Sequence, residues 1–125
     1  MPKNTENIAD LPKIVPIFPL SEVILLPKGQ IKLNIFENRY LQLVDNCMKG
    51  NRMFGMVQPR NRKDLSPEVY NVGCLGKIIS FNETSDKRFI ISLVGLTRFR
   101  IKKELKKEKL YRSFEVDYSE FLDDL

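Results

Sequence analysis

Val72-Gly-Cys-Leu-Gly-Lys-Ile-Ile-Ser-Phe81, then Asn82-Glu-Thr-Ser-Asp-Lys87, then Arg88-Phe-Ile-Ile-Ser-Leu-Val94, is the stretch that decides the fold class. Two apolar runs rich in β-branched residues flank a polar spacer of hairpin length, the pattern of paired antiparallel strands. Toward the C-terminus, Gly95 is expected to break the chain before another strand, Thr97-Arg-Phe-Arg-Ile101. Leu110 to Tyr118 then alternates, with Leu110, Arg112, Phe114, Val116 and Tyr118 set against Ser113, Glu115 and Asp117. Toward the N-terminus, Met53-Phe-Gly-Met-Val57 reads as a strand, and Ile31-Lys-Leu-Asn-Ile35 as a strand with one buried face. Ile14-Val-Pro-Ile-Phe-Pro-Leu20 is also strand-like, but Pro16 and Pro19 cannot donate to a ladder, which predicts an edge position or a bulged entry.

One helix is predicted, from Glu37 or Asn38 to the residue before Gly50, a glycine suited to the left-handed position after a helix end. Tyr40, Leu41, Val44, Cys47 and Met48 form its apolar stripe. Six or seven strands, one helix and no βα repetition give a mostly β domain with one α-helix (α+β). The expected architecture is an antiparallel β-barrel, open or partly closed, with the helix packed over one end. A length of 125 residues suits one domain, with residues 1–12 as a flexible N-terminal segment and residues 13–125 as the folded β domain.

Composition narrows the chemistry. With no histidine, the chain can form neither a Ser-His-Asp or Cys-His nucleophile nor a histidine-containing metal site. Cys47 and Cys74 are too few for a four-thiolate zinc site and too far apart for a CxxC redox motif, so both are read as buried thiols, with a single disulfide as the alternative. Gly73-Cys-Leu-Gly-Lys77-Ile78 has too few residues between its glycines for a phosphate loop and an isoleucine where a hydroxyl is needed. No catalytic residue, cofactor or metal is expected. The N-terminus has no apolar core of a secretory signal, and Ile14 to Leu26 is interrupted by Pro16, Pro19, Ser21 and Glu22, so the expectation is a cytoplasmic protein without a membrane span.

The net charge of +5 is local in origin. Arg52, Arg60, Arg62 and Lys63 form one basic stretch, and Lys102, Lys103, Lys106, Lys107 and Lys109, interleaved with Glu104 and Glu108, form another. The last eleven residues are acidic, with Glu115, Asp117, Glu120, Asp123 and Asp124. The lysine run lacks an aromatic stacking platform and reads first as a solvated strand end.

Ile17-Phe-Pro-Leu20, Val23-Ile-Leu-Leu-Pro27, Ile31-Lys-Leu-Asn-Ile-Phe-Glu-Asn-Arg-Tyr40, Phe54-Gly-Met-Val57, Val72-Gly73 and Gly95-Leu-Thr-Arg-Phe-Arg-Ile101 occur in an order and spacing that resembles the Lon protease N-terminal domain family. The resemblance covers roughly residues 14–120. It implies a PUA-like β-barrel with one helix, the module with which Lon engages substrates and neighbouring subunits. Lys28 stands where the family usually has glycine, Lys32 and Asn38 where it usually has proline, and Asn34 where histidine is common. A Lon enzyme also carries an ATPase module with a phosphate loop and a protease module with a Ser-Lys dyad, and neither pattern occurs in these 125 residues.

The motif residues carry mainly structural expectations. Phe36 and Tyr40 are spaced to pack together, and Glu37 and Arg39 to pair locally or cap the helix start. Arg98 and Arg100 share one side of a strand with Phe99 on the other, and a cross-strand partner such as Glu115 is expected for them. The functional expectation is a non-catalytic module that binds unfolded or partly folded polypeptide, or a protease or regulatory partner, with Val23, Ile24, Leu25 and Leu26 as candidate contacts or, failing that, a buried strand. The alternative is a PUA-like RNA-binding module using Lys102, Lys103, Lys106 and Lys107. The purified chain is expected to turn over neither ATP nor casein; turnover that disappears on mutating one of its own residues would overturn this.

Overall fold

The structure is a computed structural model and describes residues 10–60 and 68–125. Residues 1–9 of the expected flexible segment, and Arg62 and Lys63 of the basic stretch, lie outside the described residues. Strands β1 (Ile14–Pro19) and β2 (Gln30–Ile35) precede helix α1 (Asn38–Lys49). Strands β3 (Met53–Val57), β4 (Val72–Glu83), β5 (Phe89–Glu104) and β6 (Arg112–Asp117) follow, and 3-10 turns at Ser119–Asp124 close the described chain.

The strands pair in the order β2-β5-β4-β3-β1-β6, and β6 returns to β5. Five strands therefore form a ring and β2 lies outside it. Length makes this possible, because the 16-residue β5 pairs with β2 along Phe89 to Val94 and with β6 from Arg100 to Glu104. The expected six- or seven-stranded barrel is thus a five-stranded ring with an added strand. Gly95 does not break the chain, since β5 runs through it beside a bulge opposite Leu75 and Gly76.

The ring is also not wholly antiparallel, because β1 and β3 pair in parallel with α1 in the connection between them. Nor is β1 an edge strand. Pro16 is paired only on its β6 side and Pro19 only on its β3 side, so each proline keeps an unpaired flank where the missing N–H is not required.

Strand alternation fills the ring with Val15, Ile17, Leu75, Phe99, Phe114 and Val116. Leu11 joins this cluster, and the Tyr118 hydroxyl donates to the Pro12 carbonyl, so the packed chain reaches back into the expected flexible segment. Phe99 is fully buried, with Arg98 and Arg100 on the outer side of the strand as expected. A Cβ on Gly55 would lie 2.7 Å from Phe99 Cζ, and one on Gly73 would lie 2.8 Å from the same atom. Only glycine at these two positions lets the ring close around a phenylalanine.

A second cluster joins α1 to the outer faces of the strands. Tyr40, Leu43, Val44 and Cys47 are its buried helical members, whereas Leu41 and Met48 are only partly buried. Leu43, which the expected stripe omitted, is fully buried. Tyr40 stacks on Phe18 at 4.1 Å between centroids, and not on Phe36, which is 66% exposed. Alternation explains the difference, since Ile35 turns inward at the end of β2 and its neighbour Phe36 turns out. Glu37 and Arg39 pair at 3.1 Å, and Glu37 caps no helical N–H through its side chain. Gly50 has φ −119°, and the left-handed conformation falls instead on Arg52 at φ 65°.

Two substitutions test the packing around Phe99. Gly55→Ala should destabilise by about 1–3 kcal/mol through overpacking and Phe99→Leu by roughly 1–2 kcal/mol. Together they should cost about 1 kcal/mol less than their sum in urea melts, because the atoms crowding the new methyl are the far ends of the Phe99 and Ile17 side chains. Gly73→Ala should show no such rescue, because its Cβ would also meet the Met56 carbonyl oxygen at 2.7 Å.

Candidate functional site

The loop between β1 and β2 carries Val23 to Leu26 and lies across β5 at Gly95. The Lys28 N–H donates to the Gly95 carbonyl at 2.8 Å, and the Gly95 N–H donates to the Gly29 carbonyl at 2.8 Å. A side chain at residue 95 would run into the Leu26 carbonyl group, whose carbon its Cβ would approach to 2.8 Å. Lys28 makes the turn at φ 67°, a conformation that favours glycine, the residue the resembling family usually has there.

So fastened, the loop alternates in and out. Leu25 is buried in the core, while Ile24 and Leu26 are 63% and 60% exposed and Val23 is intermediate. The segment is neither a buried strand nor a wholly exposed loop. All four residues line one cleft of about 180 Å³, opposite Met56, Tyr70, Val72 and Cys74, with Arg98 in its wall. Tyr70 and Val72 add exposed apolar surface. Scattered exposed hydrophobics are ordinary, but several gathered on one concave surface make this cleft the candidate site. Tyr70 was missed in the sequence because it follows a polar, proline-containing loop and belongs to no periodic pattern.

Arg98 does not pair with Glu115. Its Nε and Nη2 donate to the two Asp124 carboxylate oxygens, both at 3.0 Å, and its backbone N–H donates to Asp124 Oδ2 at 2.9 Å. The guanidinium also stacks on the Phe121 ring at 4.8 Å, and Arg100 grips Glu120 through two hydrogen bonds. The acidic C-terminal residues are thus ligands for the outward arginines of β5. Glu115 lies opposite Lys103 in the β5–β6 register instead. The hydrogen bonds from Arg98 hold the Asp124 carboxyl below the usual carboxylate range, and Arg100 does the same for Glu120.

The lysines of the alternative site are not gathered. Lys102 borders a cleft with Lys13, Ile14 and Asp117, whereas Lys107 borders a small pocket with Arg39, Tyr40 and Arg112. Lys103 and Lys106 are exposed and line neither. Glu104, within the basic run, is held by two hydrogen bonds from Arg112, which lower its pKa.

Among the described residues, no group of three or more metal-ligating side chains occurs. Both cysteines are free and buried, and burial pushes each thiol up to about 12. At pH 8 neither should be alkylated by iodoacetamide until urea unfolds the chain, as read by mass spectrometry. The acid limb of stability has a defined sign. Because the folded Asp124 and Glu120 carboxyls titrate below their unfolded values, their contribution is complete above about pH 4.5 and is lost as pH falls through the lowered folded values. NMR signals of residues 119–124 should show the segment detaching over that acid range, and Asp124→Asn should remove most of the dependence.

A family model described as the ATP-dependent protease La (LON) substrate-binding domain matches residues 14–124. Lon protease of Desulfosudis oleivorans is 34% identical over 100 residues, covering 77% of this chain and 12% of that protein. Lon protease of Syntrophus aciditrophicus is 30% identical over 118 residues, covering 86% of this chain and 15% of that protein. The chain therefore spans less than a sixth of the length of these two relatives. Among solved structures, the Lon N-terminal domain protein from Xanthomonas campestris superposes with a TM-score of 0.68 at 30% identity, covering 84% of this chain and 59% of that one. The N-terminal domain of Mycobacterium avium complex Lon protease, at 15% identity and a TM-score of 0.67 over 85% of this chain and 54% of that one, shares the fold. A match from the first strand to the last acidic turn, in both sequence and strand arrangement, places this chain in the family of Lon substrate-binding domains.

Proposed function

We propose that this chain is a non-catalytic polypeptide-binding module that takes apolar segments of unfolded or partly folded protein into the cleft beside Val23–Leu26. The observation that carries this reading is the pair Ile24 and Leu26, held outward by the buried Leu25 over a concave apolar surface. The cavity is near the size, on the order of 150 Å³, at which an apolar site accepts a benzene ring, so it suits one large aliphatic or aromatic side chain. Family membership supports the same reading, since the matching model is a substrate-binding domain. Such a module works beside a protease or a regulatory partner, in the cytoplasm, and performs no catalysis of its own. We also read the five-stranded ring with its helix as PUA-like.

Charge weighs against the RNA alternative. Its lysines are spread, Lys102 bordering one cleft and Lys107 a separate pocket, and Glu104 and Glu108 interrupt the run. A phosphate-binding surface needs gathered positive charge, which releases counterions on binding and makes affinity fall steeply with salt. An NMR titration with a capped, uncharged leucine-rich peptide and with a short single-stranded RNA, at low and physiological salt, tests the reading. The peptide should shift Ile24, Leu26, Tyr70 and Val72 with weak, nearly salt-independent affinity. Leu26→Asp should abolish those shifts without lowering the melting temperature, because residue 26 is exposed. RNA shifts confined to Lys102–Lys107, with no peptide response, would overturn it.

A further inference from the structure

Among the described residues lining the cleft, Arg98 alone carries a formal charge. Its guanidinium uses Nε and Nη2 on Asp124, while Nη1 has no hydrogen-bond partner among the described residues. Two features fix its plane. The Asp124 carboxylate, only 9% exposed, takes both the side-chain fork and the backbone N–H of the same arginine, and the Phe121 ring packs against the guanidinium face. A two-point carboxylate grip on Nε and Nη2 leaves the Nη1 edge turned away from Asp124. The result is a donor held in a defined orientation in the wall of an apolar cleft.

An apolar side chain that enters this cleft brings its flanking peptide groups out of water, and their carbonyls then need a donor. We propose that Arg98 is the polar anchor of the cleft, its Nη1 donating to a main-chain carbonyl of an extended, uncharged apolar segment, and that Asp124 is the positioning residue that aims it. Charge complementarity selects a neutral acceptor. Asp124 already offsets the arginine, so a second carboxylate or a phosphate at Nη1 would face an anion across the guanidinium. The proposal rests on the cleft being the polypeptide site.

The test separates the anchor from the cleft by comparing two probes in NMR titrations. One is a capped, uncharged leucine-rich octapeptide. The other is toluene, which fits the apolar volume and offers no carbonyl. Arg98→Gln should weaken the peptide about tenfold, the loss of a hydrogen bond to a charged donor, and leave toluene binding within about twofold. Asp124→Asn keeps the arginine and loosens its aim, so peptide affinity should fall by a smaller factor with toluene again unchanged. In the unaltered protein the Arg98 Nη1 proton signal should move with peptide and stay still with toluene. Peptide affinity unchanged in Arg98→Gln, or an equal loss for both probes, would overturn the anchor role while leaving the cleft intact. Absence of any response at Ile24 and Leu26 to either probe would overturn the polypeptide site and the anchor with it.

Discussion

A phenylalanine at the centre of a five-stranded ring is the constraint on which the rest of this molecule depends. Phe99 projects inward from β5, with Tyr118 edge-on to it at 6.3 Å. The facing positions of β3 and β4 are glycines because no other residue leaves room for the ring. Close packing makes this arrangement unforgiving, since interiors have few voids and an added methyl must displace something. With Phe99 inward, the alternation of β5 turns Arg98 and Arg100 outward, where the acidic C-terminal turns dock.

The same strand organises the cleft. Gly95, four residues before Phe99, is where the β1–β2 loop lies on β5 and exchanges backbone hydrogen bonds with it. That contact buries Leu25 and leaves Ile24 and Leu26 outward. Core, cleft wall and C-terminal seat are thus three consequences of one strand that pairs with β2, β4 and β6 along different parts of its length. The energetic roles differ accordingly. Burial of Phe99 and Leu25 stabilises the fold, whereas the exposed Ile24 and Leu26 and the outer edge of Arg98 contribute little to it.

Much of this was legible in the residues. Period-two alternation located β2 and β6, apolar runs bounded by turn residues located β3 and β4, and the 3.6-residue pattern located α1, because these signals arise within one element. The apolar run Val23 to Leu26, read as candidate contacts or else a buried strand, lies in a loop with only Leu25 buried. Readings that failed concern where an element's neighbours lie. Gly95 looked like a break because a local reading cannot see that glycine is needed for another loop to approach. The prolines of β1 looked like an edge signal because the pairings that leave them one open flank involve β3 and β6, distant in sequence. Phe36 and Tyr40 were matched by spacing, although Phe18 supplies the stacking partner from another strand.

The sequence by itself determined a mostly β chain with one amphipathic helix, two buried thiols and no histidine chemistry, since composition and periodicity act locally. Only the tertiary structure decided that five strands close into a ring, that β1 and β3 run parallel, and that Leu25 turns in while its neighbours turn out. It also decided that Arg98 is held by Asp124, 26 positions away in sequence. Such contacts are set by which surfaces meet once the loops close, and a pattern confined to a few neighbouring residues carries no record of them.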